Sequence, residues 1–164
     1  MSYEETRDEI HTQLVSVSGI GKVFKSHRYV NDWATFLERF KSNGKINLCW
    51  FSLVSAPETG LGVGSTDETN ELEFIERDET WRIELYYGFQ DDDINPSEFD
   101  FMKLAEAIED KFRFLQNLNG KAFRSFPLQR IGSGLWEFLS GVLCHRAEWT
   151  RQIQERIQNP NPIT

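Results

Sequence analysis

The chain has 164 residues, 13% of them aromatic and 27% charged, with a formal net charge of −8 and a sequence pI near 4.9. That length fits one domain able to bury about two thirds of its unfolded surface without disulfide or metal staples, and the aromatic content excludes wholesale disorder. Lys and Arg are scattered singly, so no basic stripe offers itself to phosphates, and sequence-specific nucleic-acid binding is not expected.

The first element is a helix: Ser2 and Glu5 form a capping box, and Ile10, Leu14 and Val17 share a face that Gly19 and Gly21 terminate. Lys22 to Val30 reads as a short strand. Asn31 caps a second helix with Trp33, Phe36, Leu37 and Phe40 on one stripe, and Gly44 is its C-terminal stop. Ile46 to Val54 is almost continuously apolar, as a central strand covered on both faces would be, and Pro57 closes it. Glu58 to Asn70, rich in Gly, Ser and Thr, lacks an apolar period and is expected to be a long mobile connection. Leu72 to Arg77 reads as a strand that turns at Asp78-Glu79 and pairs antiparallel with the next.

The block Thr80 to Leu118 is the most informative. Trp81, Ile83, Leu85, Tyr87 and Phe89 alternate with Arg82, Glu84 and Tyr86, the period of a half-buried strand. Ser97 with Asp100 then reads as the cap of a helix whose stripe is Phe101, Leu104, Ala105, Ile108, Phe112 and Leu115. Ala122 to Arg130 and Leu135 to Leu139 read as short strands around a glycine turn at 131–134, with Pro127 making the first an edge or bent strand. Val142 to Ile157 fits either a helix or a strand by periodicity. The expected fold is α+β, a single mixed, mostly antiparallel sheet of about four to six strands with two or three helices packed on it. One domain spans 1–158 and a polar tail 159–164.

Each motif that suggests chemistry fails on a specific residue. Asp91-x-Asp93-x-Asn95 starts like a calcium loop, but Pro96 stands where glycine must turn and Met102 where a bidentate Glu must ligate. Gly60-x-Gly62-x-Gly64-Ser65-Thr66 lacks the lysine of a phosphate loop, and Gly19-Ile20-Gly21-Lys22 is followed by Val23 where Ser or Thr would hold magnesium. Cys49 and Cys144 lie in apolar runs and read as reduced core thiols, too few for a disulfide framework. Cys144 and His145, as strand neighbours, would point to opposite faces, which disfavours a zinc site and a Cys-His nucleophile alike. Glu71, Glu73, Glu76, Asp78 and Glu79 read as the solvated side of a hairpin. No enzyme activity, metal or cofactor is expected. The N-terminus has no apolar signal core and no stretch reaches a membrane-span length, so cytoplasmic synthesis without export is the expectation.

The stretches Trp81-Arg82-Ile83-Glu84-Leu85-Tyr86-Tyr87-Gly88, Ser97-Glu98-Phe99-Asp100-Phe101 with Leu104, Glu106, Ile108 and Phe112, and Gly141 to Glu148 resemble the tail-terminator or tail-completion proteins of long-tailed bacteriophages. The resemblance spans most of the chain apart from Lys22 to Asn47. It implies that the final segment is a strand. It also implies assembly as a ring, typically a hexamer, that binds tail-tube and neck proteins while DNA passes through its lumen. Location would be the host bacterial cytoplasm during assembly, then the virion tail or neck. Gly60, Leu61, Gly62, Val63, Gly64, Ile131, Leu135 and Trp136 are the expected partner or subunit contacts, because glycine-rich segments and sheet edges order against a partner. The alternative expectation is a monomeric cytoplasmic protein-binding α+β module.

Overall fold

A computed structural model describes residues 3–28, 32–66, 70–91, 94, 96–137 and 141–158, and for 37, 59–66, 70–73 and 158 the backbone alone. In chain order the described residues form α1 (Tyr3–Val15), β1 (Lys22–Phe24), α2 (Trp33–Phe40), β2 (Lys41–Ser42), β3 (Lys45–Ser55), β4 (Glu58–Thr66), β5 (Asn70–Gly88), α3 (Ser97–Arg113), β6 (Arg124–Ser125), β7 (Gln129–Glu137) and β8 (Leu143–Gln158). The fold is α+β with one mixed sheet in the order β1-β3-β5-β8-β6, β4 lying beside β5 and β7 beside β8, and β2 folded back on β3. Only the β1–β3 pair is parallel. The eight strands exceed the expected four to six.

Alternation along β5 and β8 builds the layers. Trp81, Ile83, Leu85 and Tyr87 of β5, with Ala147, Trp149 and Ile153 of β8, point to the face covered by α1 and α3. There they meet Ile10 and Leu14 of α1 and Phe101, Leu104, Ala105, Ile108 and Phe112 of the expected α3 stripe, whose last member, Leu115, lies beyond the end of α3 and packs partly buried on the same core. Burying each such side chain contributes roughly 1.5–3 kcal/mol, enough in sum to hold both helices. The opposite face is covered only at one end, where Phe36 and Phe40 of α2 pack on Leu48, Trp50, Tyr86 and Cys144. Those rings meet edge to face, with Phe36 and Phe40 centroids 5.0 Å apart and Phe40 and Trp50 6.1 Å apart. The strand expected to be half-buried is therefore covered on both sides near Tyr86.

Several local expectations are corrected. Glu58 to Thr66 is no mobile connection: β4 pairs with β5 from Glu58↔Arg77 to Thr66↔Asn70, and 67–69, the rest of that expected loop, lie outside the described residues. Glycine lowers strand propensity but does not prevent a strand when a long neighbour supplies the ladder. Asp78-Glu79 is not a turn either, because β5 runs unbroken for 19 residues and both residues pair with β8, opposite Gln154 and Ile153. Likewise β7 passes straight through Gly132-Ser133-Gly134, with a register shift between Arg130 and Gly132. Of the strand expected over Ala122 to Arg130, only β6 and the start of β7 are extended. Of the strand expected over Lys22 to Val30, the described residues 22–28 form only the three-residue β1, and 29 and 30 lie outside the described residues.

Turn and cap residues also differ. Gly44 does not end α2; with Asn43 (φ 52°) it has a positive φ (79°), the two-residue turn that closes the β2–β3 hairpin. Asn31 and Ser2 lie outside the described residues, and α2 is capped by Asp32, whose Oδ1 accepts the Thr35 N–H at 2.9 Å. Ser97 makes no cap bond and Pro96 holds the cap position. The ambiguous last segment is strand β8, 16 residues long.

Gly21 explains itself by close approach: a Cβ there would stand 2.0 Å from the Asn47 carbonyl oxygen, while the Asn47 side chain bonds the Gly21 N–H (3.0 Å) and the Gly19 carbonyl (2.9 Å). Gly132 has nothing within 4 Å. Gly21→Ala is expected to destabilise by roughly 2–4 kcal/mol through overpacking against backbone, and Gly132→Ala by under 1 kcal/mol. Urea-denaturation midpoints of the two variants check the contrast.

Candidate interaction surfaces and the buried charges behind them

The expected contact residues fall on two separate margins of the sheet. Gly60, Leu61, Gly62, Val63 and Gly64 belong to β4, which pairs with β5 on one side. Ile131, Leu135 and Trp136 belong to β7, which pairs with β8. These three side chains are 53%, 56% and 46% exposed. With β5 and β8 between them, the two groups form two unlike edges, each nine residues long, and the structure does not bring them together. Among the described residues neither strand has a second neighbour.

Behind β7 lies a buried charge network centred on Glu84, whose side chain no local pattern in the sequence singled out. Its carboxylate accepts from Arg146 Nη2 (2.6 Å), His27 Nε2 (2.5 Å), Trp50 Nε1 (2.8 Å) and the Tyr86 hydroxyl (3.0 Å). Burial raises the Glu84 carboxyl, but Arg146, His27, Trp50 and Tyr86 outweigh it and bring the pKa down to about 2. Arg146 also bonds Glu148 (2.6 Å), which stands directly opposite Glu84 on β8, so one guanidinium neutralises two facing carboxylates. Trp136 of β7 covers that guanidinium with its ring centroid 4.8 Å away.

On the helix-covered face, Arg77 lies between two carboxylates, paired with Glu155 and 3.1 Å from Glu79. The Tyr3 ring sits 3.8 Å from its guanidinium, and Thr6 donates to Glu155 at 2.8 Å, so α1 is fastened to β5 and β8 through charge. Glu79 is fully buried. Burial pushes its carboxyl above the usual range despite the indole N–H of Trp81 at 2.7 Å. The reading of Glu79 as solvated is thus overturned, because the 19-residue strand carries it under α1. Arg151, also buried, donates to the carbonyls of Phe112 (3.2 Å) and Leu115 (2.7 Å), closing the end of α3.

The groups expected not to form a reaction centre are placed as follows. Cys144 packs under α2 while His145 faces α3, on opposite sides of β8. Cys49 belongs to the other core, and burial raises both thiols, Cys144 to about 12. His145 stacks on Phe101 (5.1 Å) with Nε2 2.9 Å from Ser97 Oγ. That hydroxyl accepts from the Gln90 N–H (2.8 Å) and lies 3.1 Å from the Gln90 carbonyl. Ser97 is 2% exposed, so this pair staples α3 to β8. Asp93 and Asn95 of the calcium-like stretch lie outside the described residues, and among the described ones no group of three or more His, Cys, Asp or Glu side chains is placed to hold a metal. No described helix is long and apolar enough to cross a membrane.

Basic residues are less evenly spread than expected: residues 22–45, around α2, hold six Lys and Arg against two acids. On the uncovered sheet face, by contrast, Arg82 pairs with Glu148 (3.0 Å) and Arg156 with Glu76 (3.1 Å). No protein-family model matches this chain, and no curated protein matches it.

Glu84 supplies a pH test. A carboxyl whose folded pKa lies below its ordinary 4.5 contributes stability that is present above that value and lost as pH falls toward 2. Glu84→Gln is expected to destabilise by about 2–3 kcal/mol near neutral pH, with the gap to the wild type closing between about pH 5 and pH 2. Denaturant titrations across that range measure it.

Proposed function

We propose that this protein is a structural assembly component, tail-terminator-like, that closes into a ring at the head-proximal end of a phage tail tube and joins it to the neck. The observation that carries the reading is the pair of unlike open edges, β4 and β7, on opposite margins of one sheet. Joining a tube to a neck requires two unlike docking patches per subunit, and closing a ring requires others; strand edges meet the first need by adding backbone hydrogen bonds from a partner. Ile131, Leu135 and Trp136 supply apolar anchors on one of them.

The polar groups with shifted pKa support a non-catalytic role. Glu84 is held by four donors and far too acidic to act as a base near neutrality, while Ser97 and His145 are consumed by packing and backbone bonds. DNA passage through a lumen fits the uncovered sheet face, whose Arg82, Arg146 and Arg156 are each paired to a carboxylate, so that face has little cationic charge to retain phosphate.

Light scattering on concentrated protein is expected to give a mass several times the 19.2 kDa subunit, with six copies the stoichiometry implied by the resemblance. A single-subunit mass at every concentration overturns the ring and favours a monomeric protein-binding module.

A further inference from the structure

We propose that copies of this protein join head to tail through the two ends of α3, the cleft at Phe114, Phe123 and Phe126 of one copy receiving the Phe99 and Met102 surface of the next. The inference rests on the ring reading above and names its subunit contact, leaving the β4 and β7 edges to the tube and neck.

Past the end of α3, a cleft of about 660 Å³ is lined by Phe114, Phe123, Phe126, Arg113 and Arg124. The three phenyl rings are 82%, 46% and 36% exposed. Three exposed rings around one hollow are more than a solvated surface requires and mark a place where another surface settles. Arg113 pairs with Asp110 (2.8 Å), whereas Arg124 stacks on Phe126 with its guanidinium 4.9 Å from the ring centre, a cation laid along an aromatic wall.

The cleft is held in shape by its frame. Leu118, Asn119 and Gly120 take positive φ in succession (46°, 53° and 82°), a conformation that a leucine adopts only when its surroundings impose it. Leu118 is fully buried there. The Phe126 N–H donates to the Gln152 carbonyl (3.0 Å) and Arg151 Nε to Ser125 Oγ (2.7 Å), tying the rim to β8. A preformed hollow loses less freedom on binding than one that must be ordered.

The complementary surface stands at the other end of the 17-residue α3, about 25 Å away by helical rise. Phe99 is 65% exposed, Phe89 41% and Met102 37%. A hollow of about 560 Å³ there is lined by Phe99, Met102, Asp100, Glu106 and Lys103. The acids of the first turn, Glu98 and Asp100, and the bases of the last, Lys111 and Arg113, suit the helix dipole. The dipole gives no reason for exposed rings at both ends. Apolar groups set among acids at one end, and aromatic rings set among bases at the other, fit each other and not themselves, which makes the contact heterologous. A second copy of the chain is the occupant that supplies such a surface by construction.

Two variants test this by mixing. Phe99→Ser with Met102→Ser removes one surface, and Phe114→Ser with Arg124→Glu removes the other; thermal melts confirm that these exposed changes leave each protein folded. Each variant alone is expected to lose self-association by roughly 30-fold or more. The equimolar mixture forms a one-to-one dimer and nothing larger, because one intact cleft still meets one intact Phe99–Met102 surface. Variants that assemble like the wild type overturn this contact while the ring reading stands. Wild-type protein that sediments as a single subunit at all concentrations overturns both.

Discussion

The ladder between β5 and β8 is the constraint on which the rest depends. It runs without interruption from Phe74↔Gln158 to Gly88↔Cys144, and because side chains alternate with a period of two, its register decides the face of every residue on both strands. A slip by one residue would drive Arg146, Glu148 and Gln154 under α1 and α3 and turn Trp149 and Ile153 out to water. The apolar core alone penalises that slip. Charge adds direction: Arg77 stands opposite Glu155 and Glu76 opposite Arg156, so the correct register also pairs ions across the strands.

Burying so much charge has a cost that the fold offsets locally. Glu84 and Glu155 are nearly inaccessible, yet each finds a guanidinium and at least one further donor, which is the condition under which buried carboxylates are tolerated. Glu79 is the less settled case. Its Oε1 lies 3.1 Å from Arg77 without hydrogen-bond geometry, and burial raises its pKa although Arg77 and the Trp81 indole act to lower it. These networks fasten α1, β3, β5 and β8 to one another from inside.

What was legible in the sequence was what periodicity encodes. The α3 stripe from Phe101 to Phe112 and the alternation from Trp81 to Tyr87 each repeat on one face of a regular element and are buried as read, while Phe89 and Leu115, beyond the element ends, are exposed and partly buried. The misreadings share a different cause. Asp78-Glu79 looks like a turn because adjacent acids are usually solvated; only the long-range arrival of β8, which sets Gln154 and Ile153 opposite them, makes them strand residues. Gly60 to Gly64 and Gly132 to Gly134 look like loops because glycine has low strand propensity, and the neighbouring strand that overrides it is distant in sequence. Asn43-Gly44 carried the signature of a two-residue hairpin and was legible, had the two strands flanking it been longer than β2. The Glu84 network joins residues 57 and 62 positions apart in the chain, a relation that no local pattern records.

The surfaces divide by geometry in a way that suits simultaneous contacts. Strand edges accept partners in the plane of the sheet, through backbone groups that are indifferent to side-chain identity, and β7 tempers this with a register shift and two glycines that weaken its appeal as a template. The ends of α3 lie on the covered face, one helix layer away from that plane, and recognise by ring and charge. Either kind of surface can be occupied without covering the other. The joint between the two systems is β8: its His145 fastens the start of α3 beside Leu135, and its Arg151 fastens the end of α3 beside Ser125. Engagement at either end of the helix therefore bears directly on the strand that carries the β7 edge.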